Sequence, residues 1–170
     1  MKNTTTFLIA FCLSLFTISA NAQDYHTGIG FRAGGLTSGL TVKHFMSPDA
    51  ALEGIAGFGY RSFLITGLYE KHNAIPSAEG LKWFYGGGAH IGFFRYGGYY
   101  YIVKAHGNHF YYEEDGINGA TIGGLDFIIG LDYKFNRAPI NLSLDLKPFV
   151  DFYNGAYGYF DGALSFRFVF

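Results

Sequence analysis

Three groups of residues in this chain have the right types for chemistry. The densest lies between residues 97 and 119, where His106, His109, Glu113, Glu114 and Asp115 bring imidazole and carboxylate together. Such donors can bind a divalent cation, but their spacing matches no defined metal motif, and a solvated polar loop accounts for them equally well. His90 and the carboxylates of the charged face invite an acid/base reading, since buried charge-paired groups can have tuned proton affinities. An interior ion-pair network uses the same residue types, and it is the reading favoured here. Gly86-Gly87-Gly88 fails as a phosphate loop, because it lies inside a strand and opens no helix.

The segments that carry these residues alternate with period two, the mark of strands with two unlike faces. From Leu125 to Phe135, Leu125, Phe127, Ile129, Leu131, Tyr133 and Phe135 alternate with Asp126, Ile128, Gly130, Asp132 and Lys134. Ile140, Leu142, Leu144 and Leu146 alternate with Asn141, Ser143, Asp145 and Lys147; Phe160, Leu164, Phe166, Phe168 and Phe170 oppose Asp161, Ala163, Ser165 and Arg167. The same rule gives eight strands over 26–34, 36–46, 50–60, 62–72, 81–96, 120–135, 140–152 and 158–170, with the facing of the third and fourth least defined. Gly34-Gly35, Ser47-Pro48-Asp49, Asn73 to Gly80, Asn136 to Pro139 and Asn154-Gly155 are turn signals between them. Apart from 97–119, every link is too short for a crossover helix, so neighbouring strands are expected to be antiparallel hairpins.

Composition narrows the architecture. The 170 residues are 49% hydrophobic and 20% aromatic, with 25 glycines and a formal net charge of −1. So apolar a chain does not stay disordered, and near-neutrality leaves no basic footprint for nucleic acid. Residues 1–22 read as a cleavable signal peptide: Lys2, the apolar run Phe7 to Ile18 and the ending Ala20-Asn21-Ala22. Cys12, the only cysteine, falls within that run, so no disulfide is expected in residues 23–170, the expected mature domain.

The alternation allows a soluble barrel, such as a periplasmic lipocalin-like one, or a transmembrane barrel with its faces reversed. Three features favour the second. One face mixes Arg32, Lys43, Glu53, Glu70, Asp126, Asp132, Lys134, Asp145, Lys147, Asp151, Asp161 and Arg167 with small residues, as the filled interior of an eight-stranded barrel requires. Aromatics mark strand ends, with Tyr60, Tyr96, Phe152 and Tyr159 at one and Tyr69, Trp83, Tyr133, Phe135 and Phe170 at the other, as at the two interfaces of a bilayer. Strands of about 10 residues or more also match a tilted membrane span.

With its signal ending Ala20-Asn21-Ala22, its alternating strands and its last strand Leu164 to Phe170, the chain resembles the small eight-stranded outer-membrane β-barrel proteins of Gram-negative bacteria, of OmpA/OmpX-type architecture. The resemblance implies an all-β, closed, antiparallel up-and-down transmembrane barrel in the outer membrane, with Phe166, Phe168 and Phe170 as an assembly signal. It also implies barrel-assembly machinery, periplasmic chaperones and outer-membrane lipid and lipopolysaccharide as partners, with no cofactor, no nucleic acid and a monomeric state. The short turns at 47–49, 73–80 and 136–139 are then periplasmic, and the links at 34–39, 60–61, 97–119 and 154–158 face outward.

Two functions fit that architecture. The first is a non-enzymatic structural or surface-interaction role, with the lumen plugged by paired charges. The alternative is lipid A modification by an acyl hydrolase or acyltransferase using His90 or a loop histidine. The deacylases of this kind carry a His-x-Ser pattern, and none of the six histidines here is followed by Ser at that spacing. A single long outer link also argues against an adhesin with many displayed loops.

Overall fold

The computed structural model describes residues 25–99, 102–105, 108–111, 119–153 and 155–170. The expected signal peptide lies outside the described residues, as do the side chains of the 97–119 link.

Strands β1 (Thr27–Gly34), β2 (Ser38–Ser47), β3 (Ala50–Ala74), β4 (Leu81–Tyr99), β7 (Thr121–Lys134), β8 (Ile140–Phe152) and β9 (Ala156–Val169) form one closed barrel. β3 is 25 residues long and doubles back on itself. Its first half pairs with β2, from Ala50 opposite Ser47 to Phe58 opposite Ser38; its second half pairs with β4, from Ser62 opposite Phe94 to Ala74 opposite Lys82. The reversal falls at Arg61, whose φ of 52° is the left-handed conformation that tight hairpin turns use. At the other end of this hairpin the His72 N–H donates to the Asp49 carbonyl, 2.8 Å away. The fold is therefore an eight-stranded antiparallel barrel. It closes where β1 meets β9, in a register from Gly28 opposite Val169 to Gly34 opposite Ala163. Closure gives each strand of the barrel a neighbour on both sides.

The sequence reading places the strands within a few residues of their bounds. β4 runs on to Tyr99 instead of ending at 96, and β5 (Ile102–Ala105) and β6 (Asn108–Tyr111) add a separate two-stranded ribbon inside the 97–119 link. β4 runs through Gly97-Gly98, a pair that by itself reads as a turn signal, and the ribbon sets Ile102 opposite Tyr111 and Val103 opposite Phe110 in antiparallel register.

The two faces of the barrel are unlike. Phe31, Phe127 and Phe160 point outward with 69%, 62% and 61% of their surface exposed, along with the alternate residues of every strand. Inside lie the charged residues and two apolar clusters, one of Ile55, Leu68, Phe84 and Ile128, the other of Leu64, Phe94 and Ile122. The terminal end of the barrel holds residues 25–27, 47–50, 75–80, 135–139 and Phe170; the opposite, loop end holds 35–37, 60–61 and 119–120.

Candidate functional site

The polar interior is the candidate site, and register builds it. Arg32, Lys43, Glu53, Glu70, Asp126, Asp132, Lys134, Asp145, Lys147, Asp151, Asp161 and Arg167 are all buried within the barrel. They fall into three groups along its axis.

At the terminal end, Lys43 from β2 reaches Glu70 at 2.8 Å, Glu53 at 3.2 Å and Asp132 at 3.6 Å. Arg167 from β9 pairs with Glu53 and donates to Ser143 at 2.8 Å and to Asn141 and Thr41, both at 3.2 Å. Two cations thus hold three carboxylates, with neutral donors and acceptors filling the remaining positions. The Lys43 ammonium also lies 4.3 Å from the centre of the Phe84 ring. Such pairing is what lets charges stay out of water, because an unpaired buried ion costs several kcal/mol. Lys134 stands apart: its ammonium donates to the Phe135 and Ala138 carbonyls at 2.6 and 2.9 Å, so it ties down the 135–139 turn.

In the middle, the Arg32 guanidinium forks between Asp145 at 2.7 Å and Asp161 at 3.0 Å. Asp161 also accepts from the Leu36 backbone N–H at 3.0 Å, which fixes the β1–β2 turn. Towards the loop end, His90 from β4 lies between Asp126 of β7, at 2.7 Å from Nδ1, and Asp151 of β8, at 2.9 Å from Nε2. Lys147 pairs with the other oxygen of Asp126 and lies 4.4 Å from the Phe149 ring centre.

Glycines make this packing possible at two places. In register, Gly124 stands between His90 and Asp151, and Gly130 between Phe84 and Asp145. A Cβ on Gly124 would lie 2.2 Å from His90 Cε1, and one on Gly130 would lie 2.7 Å from Phe84 Cζ. The rings occupy the space these residues leave empty.

Several inward residues escape a reading based on charge. His72 is buried, with Nε2 at 2.9 Å from Glu70 and its ring stacked 5.0 Å from Phe84. Thr41, Ser62 and Thr66 are buried too, beside Asn141, Ser143 and Ser165 of the charged face, and Leu64, Leu68, Phe84 and Phe94 are apolar residues on the inner face. Strand parity is the signal that finds them, since Glu70 carries His72, Leu68, Thr66 and Leu64 to its own side.

One aromatic departs from the expected girdle. Tyr159 shares the parity of inward Asp161 and stacks on buried Phe149 at 5.3 Å, so it belongs to the interior and not to the outer rim. Phe152, Tyr69, Trp83 and Tyr133 do point outward, Phe135 is half-buried against Tyr133 with ring centres 4.8 Å apart, and Phe166, Phe168 and Phe170 are exposed on the outer face. The side chains of Tyr60 and Tyr96 lie outside the described residues, as do those of the loop ligands His106, His109, Glu113, Glu114 and Asp115. Outside the barrel wall, Lys71 and Ser47 donate to Asp49 at 2.7 and 2.8 Å, which holds its carboxyl below the usual range.

Among the described residues no group of three or more His, Cys, Asp or Glu is arranged to hold a metal ion. His90 is enclosed by the barrel, with its ring nitrogens turned to aspartates and away from the outer surface. The chain matches no family model, no curated protein and no solved structure.

Proposed function

We propose that this chain is an integral outer-membrane protein, a non-enzymatic barrel with a structural or surface-interaction role. The observation that carries the reading is the inversion of its faces. A soluble protein rarely exposes contiguous apolar patches of more than a few hundred Å², yet here the outward residues of every strand are mainly Leu, Ile, Val, Phe, Trp and Tyr, while the ions are inside. Lipid offers no partners to backbone groups, and a closed barrel is the β-structure that tolerates this. β7 and β8, of 14 and 13 residues, are long enough for a tilted span of about 9–11.

Outward Trp83, Tyr85 and Tyr133 near the terminal end suit a headgroup interface, and outward Phe166, Phe168 and Phe170 suit recognition by barrel-assembly machinery and its chaperones. Residues 1–22 serve as the export signal in this reading, the barrel acts as a monomer, and the link with the β5–β6 ribbon meets lipopolysaccharide or an envelope partner. The test is extraction and gel migration. The protein should stay in the membrane fraction until detergent is added, and unheated samples should migrate differently from boiled ones on SDS gels. Release by a salt or alkaline wash, with migration insensitive to heating, would return the chain to the soluble lipocalin-like alternative.

A further inference from the structure

We infer that His90 is an imidazolium held between two carboxylates, and that this charged ring is a pH-dependent latch joining β4 to β7 and β8 at the loop end of the barrel. The ring makes a hydrogen bond from Nδ1 to Asp126 at 2.7 Å, and Nε2 makes a close ionic contact with Asp151 at 2.9 Å, off the axis of an ideal hydrogen bond. An ionised carboxylate only accepts hydrogen bonds. A neutral ring has one bare nitrogen, and in either tautomer that nitrogen would lie within 3 Å of a carboxylate oxygen. Protonation of both nitrogens turns that repulsion into attraction.

The elements around the ring favour a positive charge there or are neutral to it, except for Lys147, whose like charge shares Asp126. β7 contributes Asp126, with Gly124 leaving the space through which the ring reaches β8. β8 contributes Asp151, the Phe149 ring edge-on at 5.5 Å, and Lys147, which lies on Asp126. β3 contributes neutral Thr66, opposite His90 in register. β9 contributes Tyr159, stacked on Phe149, and Asp161, opposite Lys147; Asp161 is already paired with Arg32 of β1. The whole interior points the same way. Buried Glu53, Glu70, Asp126, Asp132, Asp145, Asp151 and Asp161 outnumber Arg32, Lys43, Lys134, Lys147 and Arg167, and Lys134 binds carbonyls. A sixth cation at His90 reduces that deficit. His72 provides the contrast within the same molecule: its Nε2 meets one carboxylate oxygen and its Nδ1 has no hydrogen-bond partner among the described residues, so one N–H serves its single carboxylate contact.

Nitrogen NMR of the histidine-labelled protein in detergent micelles, followed from about pH 6 to about pH 10, tests the inference, because an ordinary histidine loses its charge near pH 6.5. Both His90 nitrogens should remain protonated well above that pH; loss of charge near pH 6.5 would overturn the latch. Because the folded protein holds a proton that the unfolded chain releases, this contribution to stability should be full below about pH 6.5, where the unfolded histidine is also charged, and fall as the pH rises until the folded ring is discharged. Asp151→Asn, which keeps the shape and removes one charge, should move that alkaline loss of thermal stability down by about one pH unit or more. His90→Gln should remove its part of the alkaline loss. An alkaline profile unchanged in His90→Gln contradicts the inference, and if that variant does not fold, the wild-type titration decides alone.

Discussion

Two adjacent glycines show how much a single residue's direction decides. Gly124 points inward, where an added Cβ meets the His90 ring at 2.2 Å and the Val150 carbonyl oxygen at 2.5 Å; Gly123 points outward, where nothing lies within 4 Å. Gly124→Ala should therefore destabilise the barrel by about 1–3 kcal/mol, the usual cost of forcing extra volume into a filled interior. Gly123→Ala should be neutral, and urea unfolding of the two variants in detergent reads the difference. Equal effects would mean that the facing of β7 is wrong. This asymmetry is only half legible in the sequence. The alternation of Leu125, Asp126 and Phe127 tells which glycine faces the interior. That its empty space is filled by the His90 ring depends on the register of β4 against β7, which no local pattern encodes.

Facing is a property of a whole strand, and β8 tests it most directly. Leu144 lies mid-strand with 58% of its surface exposed, between buried Ser143 and Asp145. If its face meets hydrocarbon, Leu144→Arg should cost about 2–4 kcal/mol or block assembly, read as loss of the heat-modifiable band. In a soluble barrel the same arginine would sit in water and change little. Strands such as β7, β8 and β9 were readable because one face carries nearly all the charge. The two halves of β3 were harder to face because their inner sides carry Ile55, Leu64 and Leu68 beside Glu53 and Glu70. An interior that packs apolar clusters between ionic groups weakens the contrast on which alternation depends. Tyr159 was misplaced for a related reason: an aromatic near a strand end fits a girdle as well as it fits a stack on Phe149, and only its parity with Asp161 separates the two. The β5–β6 ribbon is short, and its strands of four residues give too few alternations to be recognised.

For the molecule as a whole, the arrangement of the interior bears on whether solutes pass. Lys43 and Arg167 with their acids lie across the terminal end, Arg32 with Asp145 and Asp161 across the middle, and His90 with Asp126, Asp151 and Lys147 nearer the loop end. Leu68, Phe84 and Ile128 pack between the polar groups on one side, and Leu64, Phe94 and Ile122 lie beyond them toward the loop end. An eight-stranded barrel is just wide enough for side chains to fill. Opening a path would mean separating buried ion pairs, and leaving one such charge unpaired costs about 3–5 kcal/mol. The wild-type protein in a planar bilayer should therefore show no large, stable conductance. Replacing Arg32 with Ala removes the only cation that bridges Asp145 and Asp161 among the described residues. That variant should either unfold more readily or show brief, small openings that the wild type lacks. Steady porin-like currents from the wild type would show that the ionic groups line a pore instead of sealing one, and the structural reading of the interior would have to give way to a transport role.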